Sequence, residues 1–162
     1  MGNLSYSTQT YFLTYRMHAT DNIETNTRSV HYRSPSDLCT FCGRLRETTL
    51  HLFWDCDIVK NFRIEVMNNI SNANNLFRQK LTTIPNTAKA RILGNHTTKP
   101  DNFAFIFYLS LIRYIWITKL REGIPNIIAF KNFFNAFTKL QKNAKILRCL
   151  NNFNSDLFWT LD

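Results

Sequence analysis

The apolar positions of this chain fall into helical stripes separated by polar intervals. Tyr11, Phe12, Tyr15 and Met17 make a short stripe within 8–18. Residues 19–36 are polar and close on Ser34-Pro35-Ser36, a turn signal. From Glu47 the pattern is helical again. Leu50, Trp54, Ile58, Phe62 and Val66 recur every four residues, which places them on one face of a single helix. Asn68 to Asn75 holds five Asn in eight positions, and the chain stays polar to Pro100, with Pro85 and Gly94 as further punctuation. A helix is then predicted through Phe103, Phe107, Ser110, Leu111, Tyr114 and Ile117. Asp101 or Asn102 would cap its start, and Gly123 and Pro125 would end it. A last helix begins near Asn126. Its apolar face carries Phe130, Phe134, Phe137, Leu140, Ala144 and Leu147, and Lys131, Lys139, Lys142 and Lys145 lie opposite. No strand alternation and no solenoid repeat is visible. The pattern predicts a mainly α protein with four parts: a helical lead-in and Cys-rich segment over 1–67, a poorly ordered linker over 68–100, a helical hairpin over 101–150 and a tail over 151–162.

Composition narrows the class. A chain of 162 residues makes one domain, or one domain with a small appendage, and 44% hydrophobic content excludes wholesale disorder. The chain is too short for a (β/α)₈ barrel of about 250 residues. Four glycines are few against an average near 7%, which disfavours glycine-rich phosphate cradles and many-turned β-sandwiches. The net charge of +9 favours an anionic partner such as nucleic acid. It is uneven: residues 1–80 carry nine Lys/Arg and seven Asp/Glu, residues 81–162 eleven and four. That second-half charge reads either as a solvated lysine face or as a phosphate-binding face. The apolar run Phe103 to Ile112 is interrupted by Arg113 and closed by Lys119 and Arg121. It reads as a core helix rather than a membrane span. The first apolar run has no small-residue cleavage site after it, so no secretory signal is recognised. The expected setting is intracellular, cytoplasmic or nuclear, where paired cysteines are considered as metal ligands before disulfides.

One constellation carries specific chemistry: Cys39-x2-Cys42-x8-His51-x4-Cys56. Zinc takes four thiolate or imidazole ligands in a tetrahedron. A CxxC turn converges two thiolates, and Gly43 relieves the backbone after it. His51 and Cys56, on the helix expected from Glu47, supply the other pair. A full set of four protein ligands leaves no open position for a reactive water, so the expected Zn2+ is structural. The competing reading is three buried thiols and an unrelated histidine, which four such residues within 18 positions disfavour. Cys149 reads as a buried free thiol, and His18, His31 and His96 show no ligand spacing.

The segments Asp37-Leu38-Cys39-Thr40-Phe41-Cys42-Gly43 and Glu47-Thr48-Thr49-Leu50-His51-Leu52-Phe53-Trp54-Asp55-Cys56 closely resemble the zinc-binding domain of reverse transcriptases from non-LTR, LINE-type retrotransposons. In that family a CxxC is followed by Glu-Thr, then His-Leu-Phe-Trp, an acidic residue and Cys. The resemblance is strong over 37–62 and loose elsewhere. It implies a small zinc-stabilised CCHC motif followed by a helical C-terminal region. It also implies an accessory role on template RNA or target DNA, alone or beside other retrotransposon proteins. The segment between Arg28 and Asp37 departs from the family pattern. No Tyr/Phe-x-Asp-Asp occurs and no two acidic residues are adjacent, whereas polymerase chemistry needs carboxylates that share metal ions. The expectation is therefore a non-catalytic chain with no small-molecule substrate and no membrane contact.

Two sets of residues are candidates for nucleic-acid contact. Phe41, Arg44 and Arg46 flank the CxxC, where aromatic and basic side chains of zinc knuckles meet unpaired bases and phosphates. Lys131, Lys139, Lys142, Lys145 and Arg148 form the second surface. Trp54 shares the Leu50–Phe62 stripe and reads as core rather than as a stacking platform. The alternative to nucleic-acid binding is a module that docks on a reverse transcriptase or other partner, or a truncated relic without activity.

Overall fold

A computed structural model of the chain describes residues 36–70, 103–143 and 158–159, without the side chains of 104, 105 and 140–143. The stripe at 8–18, the linker beyond Ile70 and the cap at Asp101 or Asn102 lie outside the described residues. Among those described, the fold is mostly helical and has no strand. A π-helical turn spans His51–Asp55, and three α-helices follow: α1 Asp57–Asn68, α2 Phe103–Leu120 and α3 Ile127–Asn143. Two isolated antiparallel bridges join Leu38 to Arg46 and Ile70 to Trp159.

The helix expected to run unbroken from Glu47 is divided. Cys56 takes an extended backbone (φ −60°, ψ 125°) between the π-turn and α1. The break rotates the buried face. Leu52, Phe53, Cys56, Val59, Phe62 and Val66 are buried, whereas Leu50 is 48% exposed. The four-residue stripe is thus not the core stripe upstream of Cys56. The π-turn before the break brings His51 and Cys56 together, as described below.

Helix α2 is apolar on every side and is buried accordingly: Phe103, Phe107, Leu111 and Ile115 are all under 5% exposed. No described helix is long and apolar enough to cross a membrane. The end of α2 falls where Gly123 and Pro125 predict, but its left-handed residue is Glu122 (φ 54°), not glycine. The Gly123 N–H donates to the Thr118 carbonyl at 3.0 Å and the Glu122 N–H to that of Lys119 at 2.9 Å, a Schellman closure. Asn126 caps α3, its Oδ1 accepting the Ala129 N–H at 3.1 Å. The Tyr114 hydroxyl locks this turn. It donates to the Asn126 carbonyl at 3.0 Å and accepts the Asn126 N–H at 3.1 Å.

The core between α1, α2 and α3 is aromatic. Phe107 meets Phe130 and Phe134 edge-on at ring separations of 6.0 and 5.4 Å, and Phe62 of α1 meets Phe130 at 5.8 Å. The carboxyl-terminal Phe158 and Trp159 complete it. Phe158 lies 5.6 Å from both Phe103 and Phe134, and the Trp159 indole N–H donates to Asn135 Oδ1 at 3.0 Å. The expected linker begins at 68, yet Ile70 is buried against this cluster.

Candidate metal centre

The CxxC turn is built by its own backbone. The Cys39 N–H donates to the Leu45 carbonyl, the Glu47 N–H to that of Asp37 and the Gly43 N–H to that of Cys39, each at 2.8 Å. Gly43 has φ +62°, a conformation that L side chains rarely adopt. Folding the segment this way aims both thiols inward and turns amide N–H groups onto the sulfurs.

The second pair of ligands comes from the π-turn. In an α-helix, residues five apart are separated by roughly 140° around the axis, so His51 and Cys56 would diverge. Here the Cys56 N–H donates to the His51 carbonyl at 2.8 Å, five residues back, closing a wider turn that stacks one ligand above the other. The Thr48 hydroxyl accepts the His51 N–H at 3.0 Å and fixes where the turn starts. The extended Cys56 then frees α1 to begin in a new direction.

The four ligand atoms lie within 4.8 Å of one another and can hold a metal ion. Cys39 Sγ is 3.9 Å from Cys56 Sγ, and Cys42 Sγ is 3.4 Å from His51 Nε2. Cys39, His51 and Cys56 are buried and Cys42 is half-buried. Burial pushes the Cys39 thiol up to about 12, against hydrogen bonds from the Cys42 and Phe41 amides that lower it. Burial also acts to raise Cys42. There the Arg44 and Leu45 amides, with the His51 and Cys39 side chains, outweigh it and bring the thiol down to about 6.

A buried ion pair ties this centre to the helices. Glu47 is fully buried and Lys119, near the end of α2, is 8% exposed. Glu47 Oε1 meets Lys119 Nζ at 2.7 Å. Glu47 Oε2 accepts the Thr40 N–H and hydroxyl at 2.8 and 2.9 Å, so the same carboxylate braces the CxxC turn. Sequence reasoning passed over both residues. Lys119 was read only as closing an apolar run. The available signal was a lone glutamate beside the ligands and a lysine in a helix apolar on every side.

The candidate nucleic-acid residues are placed unevenly. Phe41 is buried at 8% exposure, packed with the core beside Cys39, so its ring offers no open face to a base. Arg44 and Arg46 are exposed and pair with Asp57 at 3.7 Å and Asp37 at 3.2 Å, contacts of little net energy at such a surface. Lys139 is exposed. Lys131 is half-buried, its ammonium 5.9 Å from the Trp159 ring. The Lys142 side chain, Lys145 and Arg148 lie outside the described residues. Fold and site together define a mainly helical protein with a Cys₃His cluster able to hold a metal. No family model, no curated protein and no solved structure matches the chain.

Proposed function

We propose that the chain is a non-catalytic, zinc-stabilised module that binds nucleic acid, of the kind found in the C-terminal region of LINE-type reverse transcriptases. The observation that carries this reading is the ligand cluster. A tetrahedral zinc with thiolates at about 2.3 Å and imidazole at about 2.05 Å has edges of roughly 3.8 Å between sulfurs and roughly 3.5 Å from sulfur to nitrogen. The distances of 3.9 and 3.4 Å fit both. Amide N–H groups directed at Cys39 and Cys42 stabilise thiolates, as a zinc centre needs. With four protein ligands the ion would be structural, and its thiolates need a reducing compartment, cytoplasmic or nuclear. The net charge of +9, with Arg44, Arg46 and Lys139 exposed, supports an anionic partner.

The test is metal analysis of the purified chain with a salt titration of RNA and duplex DNA binding. One zinc per chain is expected. If about five phosphates are neutralised on a single strand, log K falls with log salt at a slope near −3.5. Absence of metal removes the zinc assignment, and a flat salt response removes nucleic acid as the partner.

A second reading, docking on a larger protein, is favoured by one feature. Leu120, Ile124 and Ile128, around the α2–α3 turn, are each more than 60% exposed. The apolar side chains described between 103 and 115 do not add to that patch, since most are buried.

A further inference from the structure

An open groove of about 560 Å³ lies between α1 and α2, apart from the four ligands and from the lysines of α3. That volume is within the roughly 300–1,000 Å³ typical of small-ligand sites. Trp54, Lys60, Arg63 and Met67 line one side, and Phe107 and Tyr108 the other. Among the described residues that line it there are two cations and no carboxylate. The charge therefore suits an anion; Phe107 and Tyr108 are buried and form the floor, so the ring within reach of a flat aromatic group is the half-buried Trp54.

The arrangement of Arg63 and Trp54 is more specific. The guanidinium carbon sits 3.6 Å above the indole centroid. An Arg63 terminal N–H donates to the Trp54 carbonyl at 2.8 Å, which holds the guanidinium in place. A cation fixed on an indole is a platform on which a base can stack, and such stacking is tolerant of base identity. Lys60 stands one turn before Arg63 on the same side of α1, and it is exposed. Trp54 belongs to the turn between His51 and Cys56, so the metal centre sets the position of the platform.

We propose that this groove takes one unpaired nucleotide of a single-stranded nucleic acid, with its base on the Arg63–Trp54 stack and its phosphate toward Lys60. The inference deepens the nucleic-acid reading above and rests on it. A nucleotide combines the two properties that the lining calls for, a negative charge and a planar ring. A duplex offers the charge but keeps its bases inside the stack.

The experiment uses the zinc-loaded full chain, a 4-thiouridine-containing oligouridine and a blunt duplex of the same length. The single strand is expected to bind more tightly, and photo-crosslinks to map to Trp54, Arg63 or Met67. Arg63→Gln is expected to weaken single-strand binding about fivefold or more, as the loss of one stacked base would. Lys60→Gln is expected to flatten the salt slope by about 0.7, the loss of one phosphate contact. Lys60 is exposed, so this variant holds the test if Arg63→Gln fails to fold, which its zinc content and helical circular dichroism would report. If the wild type binds the strand but both folded variants bind as tightly and the crosslinks fall on α3, the groove proposal is overturned and the broader reading stands. If neither nucleic acid binds in a salt-sensitive way, the broader reading fails and the groove proposal fails with it.

Discussion

The Cys-rich turn and the α2–α3 hairpin lie in one fold, but different physics holds them. The hairpin is held by rings: Phe103, Phe107, Phe130, Phe134 and Phe158 are each 1% exposed or less. Burial of such side chains contributes about 1.5–3 kcal/mol apiece before entropy is subtracted. The segment 36–50 buries little besides Cys39, Phe41 and Glu47, and it is held by a few backbone hydrogen bonds, the Glu47–Thr40 contacts and a cluster of four side chains that could hold a metal ion. Many small contacts are robust to the loss of one. A single four-way junction is not. The two regions should therefore separate experimentally when the junction is broken.

The largest effect is expected from Cys42→Ser. Structural zinc contributes roughly 10–16 kcal/mol of apparent free energy in small domains, and three ligands forfeit most of it. The variant should lose its metal and the hydrogen-exchange protection of the Gly43 and Cys56 amides, while the amides of α2 around Phe107 and Leu111 keep theirs. Retained zinc with unchanged protection in the turn would remove the metal centre. Simultaneous loss in the hairpin would show that the two regions form one cooperative unit.

The Glu47–Lys119 pair decides how tightly the regions are coupled. Lys119→Met strands a fully buried carboxylate, which typically costs about 3–5 kcal/mol. Adding Glu47→Gln removes that charge, and the amide oxygen still accepts from Thr40. The double variant should recover most of the loss in urea unfolding of the zinc-loaded chain. If the double variant is no more stable than Lys119→Met alone, the pair does not bind the turn to α2 through its charges.

Regularity decided what could be read in advance. The hairpin was legible because Phe130, Phe134 and Phe137 repeat at helical spacing and Asn126, Gly123 and Pro125 punctuate the turn. The clustering of Cys39, Cys42, His51 and Cys56 into a group able to hold a metal was legible because cysteines and a histidine at close spacing have few alternative uses. The divided helix was not. The Leu50–Val66 stripe fits a continuous helix, and nothing in its spacing marks the π-turn that brings His51 and Cys56 together. Phe41 was misplaced because an aromatic residue inside a CxxC can face either way, and local pattern does not say which. The partner of Lys119 lies 72 positions earlier, at Glu47, so periodicity could not have found it. Trp54 was legible in part: the stripe made it core, and it packs half-buried against the core with Arg63 over its ring.

The effect that is smallest per step, read one pH unit at a time, also separates the regions. Cys39 without metal keeps its proton up to about 12, and a metal must displace it. The loaded state thus holds one proton fewer, and affinity rises with pH by at least tenfold per unit, about 1.4 kcal/mol. Below about 6 Cys42 also takes up a proton in the metal-free state, so the slope steepens to at least a hundredfold per unit. Competition against a chelator at pH 8, 7, 6 and 5 reads this slope directly, with the chelator's own protonation subtracted. The aromatic contacts among Phe107, Phe130 and Phe134 exchange no protons, so exchange protection across them, corrected for intrinsic rate, should stay level over the interval in which the turn loses its ion. An affinity independent of pH would mean that Cys39 gives up no proton to the metal, and the fourfold junction would then lack one of its corners.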